Sequence, residues 1–384
     1  MASLTILAAA AGIVLILLVL WDGFETIVLP RRVTRQFRLA RLFYRWTWKP
    51  WRAILDLVPS AKVRETYLGF YGPLSLLGLL AVWAVALVVG FAAVHWAMGS
   101  HIQSSSGASV DFWTDLYMSG TTFFTLGLGD VTPQGPLARL LTVVESGIGF
   151  AFLALVIGYL PTLYQAFSRR EVNITLLDAR AGSPPSAVEL LRRHARDHGP
   201  ASLVQLLRDW ERWSAELLES HLSYPVLCYF RSQHDNENWL ASLTTILDTC
   251  ALVRVGVENV PPPQAQLTFA IARHAVVDLA QIFGTPPDRA APDRLPPAQL
   301  AEMLQLLAES GCKVQEGPEA AQRLVELRGM YEPYVQALAG YLRFKLPGWL
   351  PPQRLRDNWL TSAWERGPGG ATPPCAQARK DDHF

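Results

Sequence analysis

Residues 74–98 contain no Asp, Glu, Lys or Arg. A backbone carried into hydrocarbon must satisfy every N–H and C=O internally, which restricts such a run to a helix or a closed barrel. About twenty apolar residues cross a bilayer core, so this uncharged run is long enough to span as a helix with some tilt. Residues 137–167 form a second run, interrupted by Arg139 near one end and Glu145 inside. About thirty residues at helical rise reach about 45 Å, so this helix projects beyond the lipid on one side. A third run, Leu4 to Leu20, leads into Trp21, Asp22 and Glu25. No basic segment precedes it and no convincing cleavage site follows it, so it reads as an uncleaved span rather than a signal peptide. The expected fold class is an all-α membrane protein with three transmembrane helices.

Between the two longer runs lies Thr121-Thr-Phe-Phe-Thr-Leu-Gly-Leu-Gly-Asp-Val-Thr-Pro133. Gly127 and Gly129, one residue apart, open torsions closed to residues with a β-carbon. A short loop so built can turn successive carbonyl oxygens toward one axis. The segment resembles the pore signature of potassium channels, T-x-x-T-x-G-x-G-D, matched by Thr122, Thr125, Gly127, Gly129 and Asp130. The resemblance covers residues 74–167. It implies a pore domain of outer helix, re-entrant pore helix (111–124), filter (125–130) and inner helix (137–167), with four chains around one axis. It further implies that the carbonyls of Thr125, Leu126, Gly127 and Leu128, with the Thr125 hydroxyl, coordinate potassium without a tight metal site or cofactor. Gly129 would let the chain turn out at the mouth, and Asp130 would raise the local cation concentration there. Thr121 and Thr122 fall at the end of the pore helix, whose negative dipole end favours a cation. Leu126 stands where the family commonly has Val or Ile, and Leu128 where it has Tyr or Phe. The second departure removes a bracing ring, which leaves a weakly selective cation pore as the alternative to potassium preference.

In the inner helix, Gly147, Gly149 and Gly158 remove side-chain bulk, and Pro161 removes a backbone hydrogen bond. These residues read either as a hinge at Gly158–Pro161 or as close packing against the pore helix. Glu145 lies near filter depth, where a carboxylate must face protein or water. Thr121 or Tyr117 of the pore helix are its expected partners. Asp22 and Glu25 are expected to pair with nearby arginines. No arginine recurs at every third position in the first span, so a voltage-sensing domain is not expected.

Ten basic residues lie between Pro30 and Thr66, opposed by Asp56 and Glu65, whereas Gly99 to Leu137 holds no Lys or Arg. Basic loops stay cytoplasmic, which puts the N-terminus and pore loop outside and the C-terminus inside a prokaryotic plasma membrane. Within residues 30–73, arginines alternate with aromatics from Phe37 to Trp51. This pattern predicts an amphipathic interfacial helix, broken at Pro50, with its cations among anionic headgroups rather than nucleic acid. It serves either as a force-transmitting element or as an orientation anchor. The net charge of +1 conceals this local basic excess.

Residues 171–365 show apolar residues at helical spacing in six segments, the last being Glu319–Phe344, punctuated by proline clusters. They predict a helical cytoplasmic domain that sets the open probability, followed by a disordered tail at 366–384. Cys228, Cys250, Cys312 and Cys375 are scattered without a C-x-x-C pair, so they read as reduced thiols. His194, Asp197 and His198 share a helical face that suits either a metal or solvent, and His234–Glu237 reads as a polar loop. No nucleophile–base set and no strand-flanked glycine motif emerges, so an enzyme is not expected. The sequence therefore points to a homotetrameric potassium channel with residues 1–29 as an additional span. A non-conducting sensor or scaffold that keeps a degenerate pore is the competing reading.

Overall fold

The computed structural model describes residues 2–29, 38–104, 111–232 and 237–351. It forms two compact units, Met1–Gln165 and Ala166–Phe384. The protein is an all-α membrane protein. Three of its helices are apolar enough to cross a bilayer and present much of their surface outward: α1 (Ala2–Gly23), α3 (Ala61–Ala97) and α5 (Pro136–Ala181).

In the N-terminal unit, α1 continues as a π-helical turn at Phe24–Val28. It crosses α3 where two glycines meet. A Cβ on Gly12 would stand 2.6 Å from the Gly90 carbonyl oxygen, and one on Gly90 would stand 2.7 Å from Ile16 Cγ1. Small residues let the two backbones approach, as membrane helices require in the absence of a hydrophobic driving force. Around this crossing, Ile16, Val19, Leu79, Trp83, Leu87 and Phe91 form a buried core with Phe123.

The interfacial helix is α2 (Leu39–Asp56). Contrary to the expected break, it runs through Pro50. The proline and Trp46, whose carbonyl it leaves without an intrahelical donor, are both exposed residues. The opposite side carries Trp48, packed 4.7 Å from the Tyr71 ring, and the half-buried Thr47 places its hydroxyl 2.9 Å from the Tyr71 hydroxyl. Tyr71 in turn explains why α3 begins at Ala61 and not near residue 74. Ser60 caps its first turn by accepting from the Val63 amide, and the added turns bury Leu68 and Tyr71. Residues 30–37 of the basic segment lie outside the described residues.

Arg38 acts on Asp22 electrostatically, in line with the expected arginine pairing, and the carboxylate has further partners. Its Oδ2 accepts from the Ala40 amide at 2.9 Å and from the Trp83 indole at 3.1 Å, joining α1, the first turn of α2, and α3. Glu25 also meets Arg38, at 3.7 Å.

In the C-terminal unit, α6 (Ala187–Arg193), α7 (Gly199–Ser223), α9 (Pro262–Phe283), α11 (Pro318–Gly329) and α12 (Glu332–Leu342) surround α8 (Trp239–Gly256), and α10 (Pro297–Glu309) packs on α6. Helix α8 is long and apolar enough to span a membrane, yet all its residues except Arg254 and Gly256 are buried within the protein. It is a core helix. Thr244, Thr245 and Thr249 hide their hydroxyls by donating to carbonyls one turn back. Asp248 meets Arg294 at 2.7 Å, and Arg294 reaches Glu332 at 3.1 Å. Arg328 binds Glu332 and Asp293, and both guanidinium groups lie over Trp349. The segment read as one helix over Glu319–Phe344 is two, separated at Met330–Tyr331; Pro333 follows in the first turn of α12. The tail at 352–384 lies outside the described residues.

Candidate ion pathway

Between α3 and α5 the chain forms α4 (Phe112–Phe123), opened by a capping box in which Asp111 and Thr114 bond reciprocally. The helix ends in a backward fold. The Thr121 carbonyl accepts from the amides of Leu126, at 2.8 Å, and Gly127, at 3.3 Å, while the Thr122 carbonyl accepts from Thr125 at 3.0 Å. Both threonines therefore act on the loop through their backbones; the Thr121 hydroxyl donates to the Met118 carbonyl.

From there the backbone alternates in hand. Thr125 has φ +57°, Gly127 φ +54° and Gly129 φ +79°, with Leu126 and Leu128 outside the positive region. A chain alternating between left- and right-handed torsions turns successive carbonyls toward one side, whereas an extended strand points them to opposite sides. Nothing lies within 4 Å of a Cβ built on Gly127 or Gly129, so torsion and not space requires glycine there. Thr125 adopts the left-handed region despite its branched Cβ, an outlier for such a residue. Leu126 and Leu128 are exposed.

The exit is tied down on two sides. Asp130 accepts from the Tyr117 hydroxyl at 2.9 Å. Just beyond it, β2 (Val131–Pro133) pairs antiparallel with β1 (Ile102–Ser104), Ile102 opposite Pro133. This ribbon joins the loop to the end of α3 and has no sequence signal, because three residues are too few to show a period.

Helix α5 closes the other side. A Cβ on Gly149 would lie 1.9 Å from the Phe123 carbonyl oxygen, so this glycine is a packing position against the end of α4. Gly147 and Gly158 have nothing within 4 Å of such an atom. Pro161 sits inside α5, which continues to Ala181.

Glu145 is fully buried, with partners other than those expected. Its Oε1 contacts the Ser119 hydroxyl, and its Oε2 lies 3.5 Å from His95 Nε2. Tyr117 is engaged by Asp130 and Thr121 by the Met118 carbonyl. Asp115, also buried, accepts from Ser100 at 2.6 Å. Sequence reasoning missed Ser119, His95 and Ser100. The available signal was helical spacing, since Asp115 and Ser119 lie one turn apart on α4.

Among the described residues no group of His, Cys, Asp or Glu is arranged to hold a metal ion. His194 Nδ1 lies 2.8 Å from the Leu190 carbonyl, while the side chains of Asp197 and His198 lie outside the described residues. Of the polar loop, residues 234–236 are likewise outside. Glu237 is buried, and desolvation with the nearby carboxylates of Asp178 and Glu171 pushes its carboxyl up to about 8. Cys228, Cys250 and Cys312 are buried thiols outside any disulfide, and burial pushes Cys312 up to about 11.

A family model described as "Ion channel" matches residues 79–166, the segment from α3 through α4 and the glycine loop into α5. The chain is 22% identical over 260 residues to the "Uncharacterized membrane protein YdjJ" of Bacillus subtilis, covering 66% of this chain and 73% of that one. It is 31% identical over 90 residues to "Protein LctB" of Geobacillus stearothermophilus and 30% identical over 90 residues to that of Bacillus caldotenax. Each of these two matches covers 21% of this chain and 66% of the relative. No solved structure matches. The segment from α3 into α5 is thus similar to a pore segment of ion channels, while α1 and α2 lie outside the match.

Proposed function

We propose that four copies of this chain assemble a potassium-preferring channel in a prokaryotic plasma membrane, with the N-terminus outside and the C-terminal helical unit in the cytoplasm. The alternation of left-handed torsions at Thr125, Gly127 and Gly129 carries this reading. Four such loops around one axis would stack rings of carbonyl oxygens that replace the hydration shell of a potassium ion. Asp130, held by Tyr117, supplies negative charge at the outer mouth. The orientation rests on the basic residues of the segment between α1 and α3 and on their absence around the pore loop. The exposed cations of α2 engage anionic headgroups, and the C-terminal unit sets the open probability through α5. Gly147, Gly158 and Pro161, which have room around them or lie on the exposed side of α5, are the positions where that helix can bend.

The test is a reversal potential in planar bilayers with potassium on one side and sodium on the other. Purified wild-type protein should reverse near the potassium equilibrium potential. Gly127→Ala, which places a β-carbon on a left-handed residue, should assemble but not conduct. Unchanged flux in that variant sinks the filter assignment, and a wild-type reversal near zero replaces potassium preference by a weakly selective pore.

A further inference from the structure

Ser119 has one hydroxyl proton and two oxygen neighbours. Its Oγ lies 2.8 Å from the Val88 carbonyl oxygen of α3 and contacts Glu145 Oε1 of α5. A carbonyl only accepts, and so does a carboxylate; a protonated carboxyl group can donate. With the serine proton on Val88, the contact to Oε1 is a hydrogen bond only when Glu145 is the donor. The rest of the site agrees. Glu145 Oε2 and His95 Nε2 are buried and face each other at 3.5 Å, beyond a normal hydrogen bond, and neither has another hydrogen-bond partner; Asp115 Oδ1 is also buried without one. The carboxyl group is fully buried, and an ionised carboxylate at that depth is costly without a closely hydrogen-bonded counter-charge, which His95 at 3.5 Å does not supply.

We propose that Glu145 is a neutral carboxylic acid that donates to Ser119, and that this proton positions the pore helix α4 between α3 and α5. The inference rests on reading α4 as the helix that carries the filter. Glu145 touches no permeant ion; it is a positioning residue, acting through Ser119. When its proton leaves, Ser119 must give up Val88 to serve the carboxylate, and α4 loses its bond to α3. Conduction is therefore sensitive to proton concentration. The groups facing the site are few. Helix α3 contributes His95, and α4 contributes Asp115, on which Asp111 acts through space. The carboxylate of α1, Asp22, is bonded to Ala40 and Trp83.

Two measurements on the full-length protein test this, one of them independent of flux. The infrared difference between wild type and Glu145→Gln at neutral pH should contain the C=O stretch of one protonated carboxylic acid. Absence of that band overturns the proposal. Potassium flux into proteoliposomes should fall about tenfold in wild type as pH rises through the titration, the scale of one buried hydrogen bond. Glu145→Gln, whose amide also donates to Ser119, should keep the acid-side flux throughout; a pH profile matching wild type overturns the proposal. If Glu145→Gln does not assemble, Ser119→Ala takes its place: the acid band should shift, and an unshifted band again refutes. Should neither protein conduct at any pH, the channel reading fails, while the infrared band still decides the state of Glu145.

Discussion

Gly149→Ala probes how closely the end of the pore helix depends on α5. The added β-carbon would stand 1.9 Å from the Phe123 carbonyl oxygen and 2.7 Å from its carbon, where ordinary contact begins at 3.4 Å. The two backbones must separate by about 1.5 Å, because a carbonyl at the end of a helix cannot rotate away like a flexible side chain. Overpacking of this kind costs about 3 kcal/mol, the upper end of the usual range. Alanine recovers about 1 kcal/mol of helix propensity. The net loss of about 2 kcal/mol corresponds to about a thirtyfold shift against the native packing. Phe123 is two residues before Thr125, so the displacement is delivered to the start of the loop proposed as the filter. The assay compares heat resistance of the purified assembly and its potassium-to-sodium permeability with those of Gly147→Ala and Gly158→Ala, positions with open space around them. Those two controls should match or exceed wild type in stability. A Gly149→Ala protein as stable and as selective as the controls would refute the reasoning.

Two further outcomes follow from the packing. Gly12→Ala places a β-carbon 2.6 Å from the Gly90 carbonyl oxygen and should loosen the α1–α3 crossing by about 1–3 kcal/mol; paired cysteines placed across the two helices should then crosslink more slowly than in wild type. In the C-terminal unit, the Glu237 carboxyl is raised from an ordinary value of 4.5 to about 8. The folded state therefore holds that proton more tightly, so the stability it contributes is complete below about pH 4.5 and is lost as pH rises through about 8. Thermal unfolding of this unit should occur at lower temperature at pH 8.5 than at pH 5.5, and Glu237→Gln should narrow that gap; an unchanged gap would remove Glu237 as the cause.

The spans and the left-handed torsions of the loop after α4 were legible because each follows a rule that acts along the sequence. Uncharged length specifies α3, and two alternating glycines specify where the backbone takes left-handed torsions. Boundaries set by tertiary contact were not legible. The start of α3 at Ala61 depends on Tyr71 meeting Trp48 across the turn from α2. Pro50 remained helical on the exposed side of α2, a fact about facing that the residue type does not encode. Glu145 was rightly expected to be buried against the pore helix, but its partner was assigned by proximity along a guessed helix end. Ser119 and His95 enter only when three helices are assembled. Gly149 and Gly158 look alike in sequence, yet one touches a carbonyl and the other has nothing near it.

The family match begins at residue 79, after α1 and α2 have ended, and suggests a self-sufficient two-helix pore. The Asp22 carboxylate argues otherwise. It is the acceptor for the Trp83 indole and for the Ala40 amide in the first turn of α2. A chain trimmed to the matched segment would leave the indole N–H in hydrocarbon without an acceptor and expose the groove that Gly90 opens for Gly12. The N-terminal helix is thus an internal part of the pore's architecture rather than an appendage. A minimal pore carved from this protein has to begin before residue 22.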